Sequence, residues 1–135
     1  MKTGNMTIQH IKQQAPQLAQ AFGVPSFWLT DWLLYIINKP ALFLITDESY
    51  QLTASETEQF NVGIAQMQQG VPLAYLIGSQ EFWSLNFKVN AHTLIPRPDT
   101  EVLVEQVLSW IKANKSELKN RGQNKRLLDL GTGSG

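Results

Sequence analysis

The hydrophobic period changes once along this chain, near Gly78, and that change limits what it can fold into. Before it, apolar residues recur at helical spacing between proline and glycine stops. After it come two short strand-like runs, a stretch stiffened by prolines, one amphipathic segment and one short apolar run ending in glycines. The first part can close a small helical bundle. The second cannot complete an α/β domain, which needs several paired strands covered on both faces. The expected fold class is mainly α: a small N-terminal helical bundle, a β-hairpin linker, then the first helix and strand of a truncated α/β domain. The boundaries are residues 1–77, 78–96 and 97–135.

In the first part, Ile8, Ile11, Leu18 and Phe22 set an apolar stripe. Pro16 lacks an amide donor and crowds the preceding turn, which predicts a break near Ala15 and a second short helix from Pro16. Gly23 can end that helix in a left-handed conformation. Ser26 is the expected cap of the next helix, whose Trp28, Leu29, Trp32, Leu33, Ile36 and Ile37 give it a wide apolar face. Lys39-Pro40 closes it, and residues 40–44 form a short extra helix. Thr53 and Glu56 have capping-box spacing, with Phe60, Ile64 and Met67 on one face behind them and Gly70 as the stop. Pro72 opens a short helical turn to Ile77.

In the second part, Glu81-Phe82-Trp83 and Asn86-Phe87-Lys88-Val89 predict two strands around a turn at Ser84-Leu85. Such a hairpin is marginal alone and must pack on something. Leu94-Ile95-Pro96-Arg97-Pro98 is excluded from regular structure by its prolines. Asp99 or Thr100 caps a helix with Val104, Val107, Leu108 and Ile111 on its apolar face. Residues 115–125 read as a polar loop, and 126–130 as a short buried-type strand.

Charge is balanced, with eleven basic and eleven acidic residues, so nothing global points to nucleic acid or an acidic membrane surface. The absence of cysteine excludes disulfides and thiolate-based metal or redox sites, and it fits a cytoplasmic location. The opening MKTGNMTIQH has no apolar core of a signal peptide. The most apolar stretch, residues 24–37, contains Asp31 and falls short of the roughly 20 apolar residues a bilayer takes. A cytoplasmic protein with no membrane and no direct nucleic-acid partner is expected.

Two motifs carry chemistry. Leu127-Leu128-Asp129-Leu130 runs into Gly131-Thr132-Gly133-Ser134-Gly135, the layout of a nucleotide-type turn. Glycines there let the chain turn sharply and let a ligand approach the backbone. The spacing is not that of dinucleotide binders, and no lysine supports a Walker loop. The plain alternative is a glycine-rich turn of any α/β protein. The other motif, Leu94 to Glu101, is a stiff loop that presents Arg97 and opens a helix. A helix N-terminus suits an anionic or carboxylate-bearing ligand. The plain alternative is a linker whose prolines fix an angle.

Three blocks then give a resemblance: Gly70 to Val89, Leu94 to Glu105, and Leu127 to Gly135. In order and interval the chain resembles the release-factor glutamine methyltransferases, HemK-like class I enzymes dependent on S-adenosyl-L-methionine. The blocks cover about half of it. Before Gly70 the likeness is one of pattern, with Asp31-Trp32-Leu33-Leu34 where the family has an acid followed by leucines. Ser84 stands where the family commonly has a turn glycine.

The resemblance implies a Rossmann-like methyltransferase domain starting in 97–135 and a substrate-orienting role for 1–77. It implies methyl transfer from S-adenosyl-L-methionine to the glutamine of the Gly-Gly-Gln motif in peptide chain release factors. Gly131, Thr132, Gly133, Ser134 and Gly135 match the cofactor loop, with Asp129 bracing it. Arg97, Pro98, Thr100 and Glu101 match the segment over the cofactor and substrate entrance. The family's Asn-Pro-Pro-Tyr motif does not occur in these 135 residues, so no catalytic residue is assigned and the fragment is expected to be inactive.

Other features have plainer readings. His10 and His92 lack an obvious metal partner. Glu81, Asp99, Glu101 and Glu105 read as caps and solvated positions rather than an acid/base pair. The basic run Lys112, Lys115, Lys119, Arg121, Lys125 and Arg126, broken only by Glu117, lacks the interleaved aromatics of an RNA-stacking surface. The aromatics Phe27, Trp28, Trp32 and Tyr35 read chiefly as core, with room for a partner surface. A stranded helix and strand with apolar faces could fray or pair with a second copy. Alternative functions are a ribosomal-protein glutamine or DNA adenine methyltransferase, or a non-catalytic protein-binding module.

Overall fold

The computed structural model describes residues 6–120 and 126–133 and divides the chain into two compact units, residues 1–77 and 78–135. The protein is mainly α-helical, with one two-stranded antiparallel sheet. No helix among the described residues is long and apolar enough to cross a membrane.

In the first unit, α1 (Ile8–Phe22) starts where Thr7 accepts the His10 amide through its hydroxyl at 3.2 Å. Ile8, Ile11, Ala15 and Ala19 form its buried face. The helix runs straight through Pro16, against the break expected near Ala15. Pro16 faces solvent, so water can replace the one lost hydrogen bond, while Ala15 and Ala19 stay packed on either side. Gly23, at φ 70°, closes the helix, and Val24 donates back to Ala19 at 3.0 Å.

Helix α2 (Phe27–Ile37) begins as a turn from Pro25, whose carbonyl accepts the Trp28 amide at 3.1 Å. Ser26 is already helical and makes no side-chain cap, contrary to expectation, because a cap needs extended backbone there. Leu29, Trp32, Leu33 and Ile37 are buried. The short α3 is Phe43–Thr46, three residues later than expected, because residues 40–43 form a separate turn first.

Helix α4 (Ala54–Gln68) carries the expected capping box: Thr53 accepts the Glu56 amide at 3.2 Å and Glu56 accepts the Thr53 amide at 2.8 Å. Tyr50 donates to both Glu56 oxygens, and burial with that carboxylate raises its phenol pKa. Gly63, rather than Ile64 alone, meets the core, because the Trp32 indole lies on it and donates to the Phe60 carbonyl at 3.2 Å. Helix α5 (Leu73–Ile77) adds Leu73 and Ala74 to the core. Residues before α4 run beside the start of α1: Leu52 donates to Met6 at 2.9 Å and Gln9 to Glu48 at 2.9 Å. Lys12 pairs with Glu48 across the same seam.

In the second unit, β1 (Ser79–Phe82) pairs with β2 (Leu85–Lys88), Phe82 opposite Leu85. The turn is therefore Trp83-Ser84, one residue earlier than expected. Pairing of Phe82 with Leu85 leaves a two-residue loop and sets Phe82 and Phe87 on one face, ring centroids 6.3 Å apart.

Helix α6 (Pro98–Ala113) starts at Pro98 with Arg97 at the cap position, not at Asp99 or Thr100. Proline has the dihedral angle a first helical residue needs. Helix α7 (Lys115–Asn120) occupies the start of the segment expected to be a loop. Its lysines and glutamate are good helix formers. The strand expected at 126–130 is absent, and Leu127, Leu128 and Leu130 are 72%, 82% and 83% exposed. A strand is held by a ladder to its neighbour, and none is present to pair with it.

Candidate functional site

The singled-out residues of the second unit gather around the start of α6. Arg97 has extended backbone, as the residue before proline must, and its side chain is exposed. Pro98, Asp99 and Thr100 are exposed in the first turn, where the Thr100 amide donates to the Arg97 carbonyl at 3.0 Å. Asp99 and Glu101 place two carboxylates at the positive end of the helix. An external anion therefore gains less here than at a bare helix N-terminus.

Glu101 does something the sequence did not disclose. Its Oε1 accepts the backbone amide of Trp83 at 2.9 Å. Trp83 and Ser84 are both left-handed, at φ 52° and 57°. Residues with a side chain enter that region at a cost of roughly 1–2 kcal/mol each. One half-buried carboxylate thus ties a strained hairpin turn to the helix that follows the proline loop. The available signal was the alternation Gln80, Phe82, Leu85, Phe87, which puts Trp83 at the tip.

In the glycine segment, Gly131 and Gly133 are left-handed, at φ 74° and 68°. A Cβ on either would meet no other atom within 4 Å, so the backbone of this turn is open to approach. Asp129 and Thr132 are exposed, while Ser134 and Gly135 lie outside the described residues. Among the described residues no hydrogen bond or ion pair joins this turn to Arg97, Pro98, Thr100 or Glu101. Leu127 does meet α6: with Val107, Trp110 and Ala113 it lines a shallow apolar depression of about 630 Å³.

Among the described residues no three histidine, aspartate or glutamate side chains are grouped as a metal site would need. His10 and His92 are exposed on different units. Glu81 and Glu105 are exposed. Of the basic run, Lys112, Lys115, Lys119 and Arg126 are exposed, and Arg121 and Lys125 lie outside the described residues.

Residues 10–78 match the family model described as the PrmC N-terminal domain. The release factor glutamine methyltransferase of Shewanella oneidensis is 44% identical over 103 residues, 76% of this chain and 33% of that protein. That of Buchnera aphidicola from Acyrthosiphon pisum is 41% identical over 111 residues, 82% of this chain and 37% of that protein. The Buchnera aphidicola protein from Baizongia pistaciae is 37% identical over 125 residues, 93% of this chain. The chain thus spans between a third and about two fifths of the length of these relatives.

Proposed function

The chain belongs to the release factor glutamine methyltransferase family, and from that premise we propose what the whole protein does. It transfers a methyl group from S-adenosyl-L-methionine to the side-chain nitrogen of the Gly-Gly-Gln glutamine in peptide chain release factors. It works in the cytoplasm. The observation that carries this reading is a match that extends over 93% of the chain, through the bundle, the hairpin and the proline loop.

Gly131, Thr132 and Gly133, with Ser134 and Gly135 after them, are the residues that would hold the cofactor, and Asp129 would brace their loop. The fit is supported by two left-handed glycines that turn the backbone with no side chain over it. The cofactor, when bound, supplies a methyl group activated on a sulfonium. The amide nitrogen it meets is a poor nucleophile, because its lone pair is delocalised. The protein must align that nitrogen and accept its hydrogens as charge develops. Arg97, Pro98 and Thr100 border the entrance, and Arg97 offers an exposed guanidinium to a carboxylate. Glu101 holds the hairpin turn to the same helix.

The test is a methylation assay with the full-length protein, S-adenosyl-L-methionine and a purified release factor. Mass spectrometry of the Gly-Gly-Gln peptide is expected to show one added methyl group on the glutamine. An unchanged peptide mass removes the proposal.

A further inference from the structure

Helix α2 is apolar almost all round, its only charge being Asp31. A helix of that composition is ordinarily covered on every side. Here Leu29, Trp32, Leu33 and Ile37 face the core, while Phe27 and Tyr35 stay 58% and 52% exposed. At 100° per residue Asp31 falls opposite the buried face, with Phe27 one turn before it and Tyr35 one turn after, each about 6 Å along the axis.

The Tyr35 ring is held in place. It stacks on Trp32 with centroids 5.6 Å apart and planes 17° from parallel, and Trp32 is itself pinned to Phe60. Among the described residues Asp31 has no hydrogen-bond or ion-pair partner. Burial by its neighbours raises its pKa, with nothing opposing it. The cations nearby are engaged elsewhere: Lys12 pairs with Glu48, and Lys39 sits over the Phe43 ring at 5.5 Å. Residues 1–77 hold three lysines against five acidic residues, so this unit presents a net negative charge.

We infer that the Phe27–Asp31–Tyr35 face of α2 docks the protein substrate, through a segment that sets an arginine between apolar side chains. The inference rests on the functional reading above. A guanidinium answers both parts of the face at once. Its fork meets the carboxylate and its plane stacks on the flanking rings, which a compact lysine ammonium does less well. A second copy of this chain is disfavoured, since a two-fold axis through the centre of the face would set Asp31 against Asp31. Contacts remote from the reacting amide are also what hold a large substrate in line for transfer.

The test uses the full-length enzyme, S-adenosyl-L-methionine and a purified release factor as acceptor. Asp31→Arg is expected to raise KM for the release factor about ten-fold or more and leave kcat within about two-fold. Asp31→Asn, which keeps the shape, is expected to raise KM about three-fold, and it serves if the arginine disturbs folding. Glu58→Lys, an exposed charge reversal on α4, is expected to leave KM unmoved. An unchanged KM in both Asp31 variants overturns the inference, as does an equal rise in Glu58→Lys, which would mean diffuse attraction only. Absence of transfer by the unaltered enzyme overturns the functional reading, and the inference with it.

Discussion

Gly63 is the position where α4 lets the Trp32 indole reach the core, and replacing it with alanine tests that packing. A Cβ there falls inside the ring. The clash is with a rigid bicyclic side chain, which stacks against Tyr35 and donates to the Phe60 carbonyl. Overpacking of this kind costs about 1–3 kcal/mol. Displacing the indole also strands a buried N–H, for about 1–3 kcal/mol more. Alanine returns about 1 kcal/mol as the better helix former. The net expectation is a loss of about 3 kcal/mol, or on the order of 15 °C in melting temperature for a unit this small. Urea and thermal unfolding, followed by tryptophan fluorescence and far-ultraviolet circular dichroism, measure it. Adding Trp32→Leu should recover part of the loss, because the two residues share one space. A Gly63→Ala protein as stable as the original, or more so, would refute the argument, since that is how an unobstructed helix glycine behaves.

Thr53→Ala removes one half of the capping box of α4 and is expected to lower stability by about 1 kcal/mol in the same unfolding assay. Glu101→Ala leaves the Trp83 amide without its acceptor, and faster hydrogen exchange of that amide by NMR is the expected readout, while Glu101→Gln keeps an oxygen and most of the protection. Asp31 has a folded pKa above its unfolded one, so its contribution to stability is complete in acid and is lost as pH rises through the raised value. Asp31→Asn should therefore be at least as stable as the original at neutral pH, and the difference between the two should vanish or reverse in acid. The 135 residues alone, without an Asn-Pro-Pro-Tyr sequence, are expected to transfer no methyl group in the release-factor assay.

Where a local signal and a burial pattern agreed, the sequence could be read directly. Thr53 and Glu56 disclosed their helix start because the capping box is written in two residues three apart. Gly23 and Gly70 marked stops because their left-handed turns are local events. Pro16 misled, since the cost of an internal proline depends on which face it occupies, and only tertiary packing decides that. The strand at 126–130 failed for the opposite reason. Its apolar composition was legible, but a strand exists only through its neighbours. For the candidate site, Arg97 to Glu101 could be named as a loop opening a helix, whereas the bond from Trp83 to Glu101 crosses eighteen positions and has no local signature.

The seam between the start of α1 and the residues ahead of α4 has a bearing on how the protein is made. Met6, Thr7, Ile8 and Gln9 take their partners from Glu48 to Leu52. The opening turn must therefore wait for the middle of the bundle to leave the ribosome. Once Ile77 has emerged, every partner for that bundle core has been synthesised, while the glycine turn is still to be translated. The bundle can thus be finished first, leaving the leucines near the glycine turn as the last apolar surface to find cover.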